Sequence, residues 1–160
     1  MQPKAIFEAL AEEGVAYVLV GGLAATVHGA SLTTLDTDVC FRQDRENCER
    51  LSRALERIQA EVYPPRAVPI PLTPELLQSH RILHLRSSAG RLDLLGTVPG
   101  LGTYDEIAPS LIEIRLEGLL VPVLNLDQLI QAKSVLNQPK DREHLDQLLA
   151  IRKLRNSPGS

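Results

Sequence analysis

The chain has 160 residues, 44% of them apolar, a formal charge of −3 and a pI near 5.8. That length suits one domain whose core needs no covalent staples. The near-neutral charge excludes a general electrostatic attraction to nucleic acid, and an aromatic content of 3% leaves no base-stacking platform.

The apolar spacing predicts a helix over Lys4 to Glu13, with Ile6, Phe7 and Leu10 inward and Gly14 as its stop. Val15 to Val20 reads as a strand covered on both faces. Gly21-Gly22 turns the chain, and Leu23 to His28 makes a short helix whose Ala24 and Ala25 allow close packing on a sheet. Thr37 to Arg42 is the second strand. Asp44 is placed to cap a helix running to about Ala60, with Cys48, Leu51, Leu55 and Ile58 as its inner stripe.

Prolines 64, 65, 69 and 71 argue for a loop or a sheet edge. Thr73-Pro74-Glu75 opens a short helix to about Ser79. Ile82 to Arg86 and Arg91 to Leu95 form a hairpin joined by residues 87–90. Gly96 to Thr103 reads as loop, and Leu111 to Arg115 and Leu119 to Leu124 as two further strands. Asn125 and Gln128 make a capping box for a helix carrying Leu126, Leu129, Ile130 and Leu136 on one side. A last helix from about Lys140 buries Leu145, Leu148 and Leu149. Strands and helices without regular alternation point to an α+β fold with a mixed sheet. Residues 1–154 are expected to form one domain, and 155–160 a flexible tail.

Cys40 and Cys48 show no metal-ligand spacing and read as buried, reduced thiols. No apolar run reaches membrane-spanning length, and the first residues lack a signal-peptide core. Both features set the expectation of a cytoplasmic protein.

Four features carry chemistry. An apolar strand ending in Gly21-Gly22 before a helix gathers backbone N–H groups that favour an anion, although paired glycines also mark plain tight turns. Asp36 and Asp38 lie two residues apart on a strand and so share a face, where carboxylates hold Mg²⁺. Asp93 stands between Leu92 and Leu94, where an ionised carboxylate needs a cation, a hydrogen bond or a salt bridge with Arg91 or Arg86. Lys133 projects from the apolar stripe of its helix. It either snorkels to the edge or points into a site where an anion compensates its charge. Ser31, Thr33 and Thr34 precede the carboxylates as phosphate contacts or as turn-formers. Lys140-Asp141 opens the last helix, where Asp141 suits the dipole. His28 caps a helix C-terminus, and neither it nor His84 is assigned a catalytic role.

These residues resemble the nucleotidyltransferase superfamily related to DNA polymerase beta. Its pattern of an apolar strand, Gly-Gly, a short helix, Asp-x-Asp and a later strand Asp appears as Leu19-Val20-Gly21-Gly22, Asp36-Thr37-Asp38 and Leu92-Asp93-Leu94. Leu129-Ile130-Gln131-Ala132-Lys133 followed by Lys140-Asp141 resembles the small prokaryotic abortive-infection-type toxin enzymes more closely. The likeness covers about residues 15–150.

The resemblance implies a small mixed sheet flanked by helices, with two helices at the C-terminus. It implies Mg²⁺ (or Mn²⁺) held by a catalytic set of Asp36, Asp38 and Asp93. Gly21, Gly22, Thr34, Lys133 and Lys140 would contact the nucleotide and its phosphates. The implied reaction moves a nucleoside monophosphate from an NTP onto the hydroxyl of an unidentified RNA, protein or small-molecule acceptor, with an antitoxin-type protein as partner in toxin-type relatives. One departure stands out: relatives often carry Arg where this chain has Leu32, which either weakens triphosphate binding or leaves another basic residue, such as Arg42 or Arg81, to replace the charge. The alternative expectation is a catalytically silent binding module on the same fold.

Overall fold

A computed structural model describes residues 3–33 and 36–157. In chain order the elements are α1 (Pro3–Glu12), β1 (Tyr17–Val20), α2 (Gly21–Val27), β2 (Asp36–Phe41), α3 (Arg45–Arg57), β3 (Glu61–Val62), α4 (Pro74–Ser79), β4 (Ile82–Ser87) and β5 (Gly90–Leu95). There follow β6 (Thr97–Val98), β7 (Gly102–Thr103), α5 (Tyr104–Ile107) running into a single 3-10 turn, β8 (Ile112–Leu116), β9 (Leu119–Val123), α6 (Leu126–Ser134) and α7 (Pro139–Arg155).

Seven strands form one mixed sheet in the order β3-β4-β5-β2-β1-β9-β8, with β6 and β7 in a separate two-stranded ladder. β1 runs antiparallel to β2 and parallel to β9, and β2 runs parallel to β5. The expected α+β class, the mixed sheet and the two C-terminal helices are all present.

Side-chain alternation sorts the central strands into a packed face and an open one. Thr37, Val39, Phe41, Leu83, Leu85, Leu92 and Leu94 are buried and join Ile6 and Leu10 of α1, Leu51 and Leu55 of α3, and Leu77 of α4 in one core. Each such side chain contributes about 2 kcal/mol when fully buried. The opposite face of the same strands carries Asp36, Asp38, Arg91, Asp93, Ile82 and His84. Asn47, fully buried in α3, ties the sheet to that layer: its side chain bonds both backbone groups of Ala16 (2.7 and 3.0 Å) and the Arg42 carbonyl (2.7 Å).

Several local expectations are corrected. Residues 96–103 hold the β6–β7 ladder rather than only loop, and α5 follows, its capping box formed by Thr103 and Glu106. α2 starts at Gly21 itself. Asp44 stands at the N-cap of α3 but directs its carboxylate to Arg42 (3.0 Å), so a local ion pair replaces the expected capping bond. Leu136 lies past the end of α6 and is exposed, and Leu149 also faces outward, whereas Leu148 is buried. The two cysteines are buried free thiols. Among the described residues no helix is long and apolar enough to cross a membrane.

Candidate active site

Strand register brings the first two carboxylates of the site together. In the parallel β2–β5 pair Asp38 stands opposite Asp93, and Asp36 opposite Arg91. On its other side Asp38 faces Val20, the last residue before Gly21. Asp36, Asp38 and Asp93 all line one cleft of about 590 Å³ together with Gly21, Gly22, Thr33, Lys133 and Lys140.

Asp38 is the electrostatic centre. Burial raises its carboxyl to about 7, and the charge of Asp93, a hydrogen bond with Asp93 and the charge of Asp36 push the same way, while Lys133 opposes them. Two carboxylates this close cannot both ionise cheaply, so one proton is retained or a cation takes its place. Gly21 makes the arrangement possible. Its φ is +72°, and a β-carbon there would overlap the Asp38 carboxylate oxygen. Only glycine allows the backbone to pass so near the acid.

Asp93 is 16% exposed at its side chain, and its Oδ1 lies 2.9 Å from His84 Nδ1 on β4. The salt-bridge alternatives for Asp93 are thereby corrected: Arg86 pairs with Glu61, and Arg91 lies 3.7 Å from Asp36 and stacks 4.1 Å over the Tyr63 ring. His84 carried a readable signal. The 82–86/91–95 hairpin already places residue 84 opposite residue 93.

The facing wall comes from α6 and α7. Lys133 is only 11% exposed, and its Nζ lies 3.4 Å from Oδ1 of Asp141, which is 6% exposed. Asp141 also accepts the Gln138 N–H at 3.3 Å, closing the α7 capping box. One carboxylate thus serves as cap and as counter-ion, and Lys133 points into the cleft instead of snorkelling away. Lys140 is exposed at the cleft margin, and His144, one turn along α7, lines it as well.

Other expectations distribute less evenly. Thr33 lines the cleft, Ser31 bonds Gln147 of α7 through its backbone, and Thr34 lies outside the described residues. Leu32 packs against the core. Neither Arg42 nor Arg81 is among the described residues that line the cleft. His28 does cap α2 through its backbone N–H, which reaches the Ala24 and Ala25 carbonyls, while its ring bonds the Leu124 carbonyl (2.8 Å) and receives Arg155 (3.2 Å).

The donor set fits a divalent cation. Carboxylate oxygens are the hard ligands that Mg²⁺ prefers, and Asp38 and Asp93 already compete for one positive charge. Among the described residues, no group of three or more acidic, histidine or cysteine side chains is placed to hold a metal ion by itself. Mg²⁺ commonly takes most of its ligands from water or substrate phosphates, so it needs only one or two protein carboxylates.

With its sheet order, its Gly21 turn against Asp38 and its facing acid pair, the chain shares the nucleotidyltransferase fold of solved structures. The lincosamide antibiotic adenylyltransferase LnuA, solved with lincomycin bound, superposes with a TM-score of 0.61 at 16% identity over 94% of this chain and 98% of its own. ANT(2")-Ia, solved in complex with adenylyl-2"-tobramycin, gives 0.58 at 16% identity over 95% and 91%. An antigenic nucleotidyltransferase-like protein of Paracoccidioides brasiliensis gives 0.56 at 14% identity over 92% and 72%. No family model and no curated protein sequence matches the chain.

Proposed function

We propose that the protein is a divalent-metal-dependent nucleotidyltransferase that moves a nucleoside monophosphate from an NTP to an acceptor hydroxyl. One observation carries the reading: Asp38 and Asp93 meet at a single register step on one wall of a cleft whose other wall presents Lys133. Asp36, Asp38 and Asp93 would hold Mg²⁺, which when bound polarises the α-phosphate and offsets its charge. The Gly21-Gly22 backbone lets the phosphate chain approach Asp38 without a side chain between them. Lys133, and Lys140 at the margin, neutralise the leaving pyrophosphate. Asp93 takes the acceptor's proton, and His84 holds its carboxylate in place.

LnuA is named as an antibiotic adenylyltransferase and ANT(2")-Ia was solved with adenylyl-2"-tobramycin, which supports nucleotidyl transfer as a reaction this fold carries out. The acceptor of the present chain is an alcohol whose class the transfer assay assigns. Protein incubated with each of four labelled NTPs and Mg²⁺, with RNA, protein and small-molecule fractions offered separately, should label one fraction. Asp36→Ala/Asp38→Ala protein should label none. Equal NTP binding by wild type and double variant in titration calorimetry would refute the site. The toxin-type form of the reading adds a growth assay, in which induced expression arrests the host and Asp38→Asn relieves the arrest.

A further inference from the structure

We propose that the exposed edge strand β8 pairs with the β8 of a second copy of this chain, antiparallel and centred on Ile114. The two ends of the seven-stranded sheet meet solvent differently. β3 has two residues and runs into Tyr63-Pro64-Pro65, and both short length and proline blunt an edge. β8 has five residues and no proline. It is held to β9 by a tight turn at Glu117 and Gly118, both at positive φ (49° and 86°).

The register of β9 shows which backbone groups this edge offers. Leu124 donates its N–H to the Leu19 carbonyl of β1 (3.1 Å), and backbone groups point alternately to the two sides of a strand. By that alternation Pro122, which has no N–H to give, also faces β1, and Val121 and Val123 face β8. Their partners Ile114 and Ile112 face back to β9, which turns the N–H and C=O of Glu113 and Arg115 outward. Both residues are exposed, and no other described strand pairs with β8.

Charge selects the register. A second β8 laid antiparallel about Ile114 sets Glu113 opposite Arg115 of the other copy, twice by symmetry. Each such pair would exchange two backbone hydrogen bonds and oppose unlike charges on one face of the extended sheet. Arg115 Nη1 now lies 3.4 Å from the Gly118 carbonyl, a long contact that a carboxylate readily replaces. Ile112, 36% exposed, would meet Leu116 of the other copy on the opposite face. Centring the pair on Glu113 or Arg115 instead sets like charges against each other. An edge bearing one sign of charge repels a second copy, whereas unlike charges flanking one residue admit it in one register. Two five-residue strands bury less surface than a permanent dimer needs, so the association is weak and follows concentration.

Sedimentation velocity of the whole chain from micromolar to millimolar concentration tests the proposal, with circular dichroism as the check on fold. Wild type should pass from monomer to dimer. Glu113→Arg and Arg115→Glu each oppose like charges and should each weaken dimerisation about tenfold or more. The double exchange Glu113→Arg/Arg115→Glu should restore it. An equimolar mixture of the two single variants should also associate, because every Arg then faces a Glu. Ile114→Cys should cross-link to its own copy under mild oxidation, since residues paired this way lie about 4.5 Å apart at Cα. A wild type that stays monomeric throughout overturns the proposal, and so does a dimer that neither single reversal weakens. Loss of association that neither the double exchange nor the mixture recovers overturns it as well. None of these measurements involves nucleotide, so the catalytic reading stands or falls separately.

Discussion

The carboxylate wall of the cleft is a piece of sheet, and the cationic wall is assembled from the end of one helix and the start of the next. On the sheet side, Asp36, Asp38 and Asp93 are set by ladder register, with strands on both sides of β2 and a packed core behind. On the helix side, Lys133 depends on Asp141 across the short break between α6 and α7, and Lys140 stands exposed. The sheet can hold like charges together because displacing either would mean breaking the ladder. The helix wall holds opposite charges that attract, so its geometry adapts more readily. Repulsion built into the rigid wall and attraction built into the adaptable one leave the cleft poised for a cation on one side and an anion on the other.

The largest effect should come from the rigid wall. Asp38→Asn keeps the shape and removes the charge, and nucleotidyl transfer should fall by about a thousandfold or more, measured with labelled NTP. The same substitution should stabilise the metal-free protein at pH 8 by roughly 1–3 kcal/mol in urea unfolding, since it removes a buried, repelled carboxylate. Unchanged transfer would break the comparison at its strongest point.

Lys133→Met tests the other wall. It leaves Asp141 buried without its cation, and the expected cost is about 3 kcal/mol of stability with a large drop in NTP affinity. Loss of affinity without loss of stability would show that the ion pair does not hold the wall together. Gly21→Ala introduces a β-carbon against Asp38 at positive φ and should cost about 2 kcal/mol, with NTP binding impaired.

The pH dependence follows from Asp38. Its folded pKa is raised to about 7 from an ordinary 3.8, so between about pH 4 and 7 the folded state keeps a proton that the unfolded state has lost. Folded stability from this group therefore falls as pH rises through that window, by at most about 1.4 kcal/mol per unit. In chelator, wild type and Asp38→Asn should agree near pH 4 and diverge towards pH 8, in favour of the variant. Parallel curves would mean that Asp38 is not the strained group. The smallest effect is expected from Leu32→Arg. If the phosphate contacts lie on α6 and α7 as proposed, a charge added at this partly buried position should change NTP affinity by less than about threefold.

Much of the carboxylate wall was legible in the chain because strand periodicity is local. Asp36 and Asp38 two residues apart must share a face, and the hairpin that carries Asp93 also set His84 opposite it. The polar partners on the helix side were less legible. Lys133 stood out on an apolar stripe, but its direction depended on Asp141, eight residues away across a helix break. His144 sits within an ordinary polar helix, and its local pattern does not distinguish it from a solvated residue. Leu136 and Leu149 read as members of the apolar stripes of Leu129 and Leu148 yet are exposed, Leu136 at the cleft, because burial depends on what packs opposite.

By itself the sequence determined the α+β class, the strand carrying Asp36 and Asp38, the glycine turn and the exceptional character of Asp93 and Lys133. Each is a statement about residues close in the chain, where backbone periodicity and the cost of burying charge suffice. Only the tertiary structure decided that β5 pairs with β2 in the register joining Asp93 to Asp38, that Gly21 lies against the Asp38 carboxylate, and that Lys133 turns to Asp141 and the cleft. Those outcomes depend on which distant elements share hydrogen bonds and buried surface, and that choice is made by the whole chain.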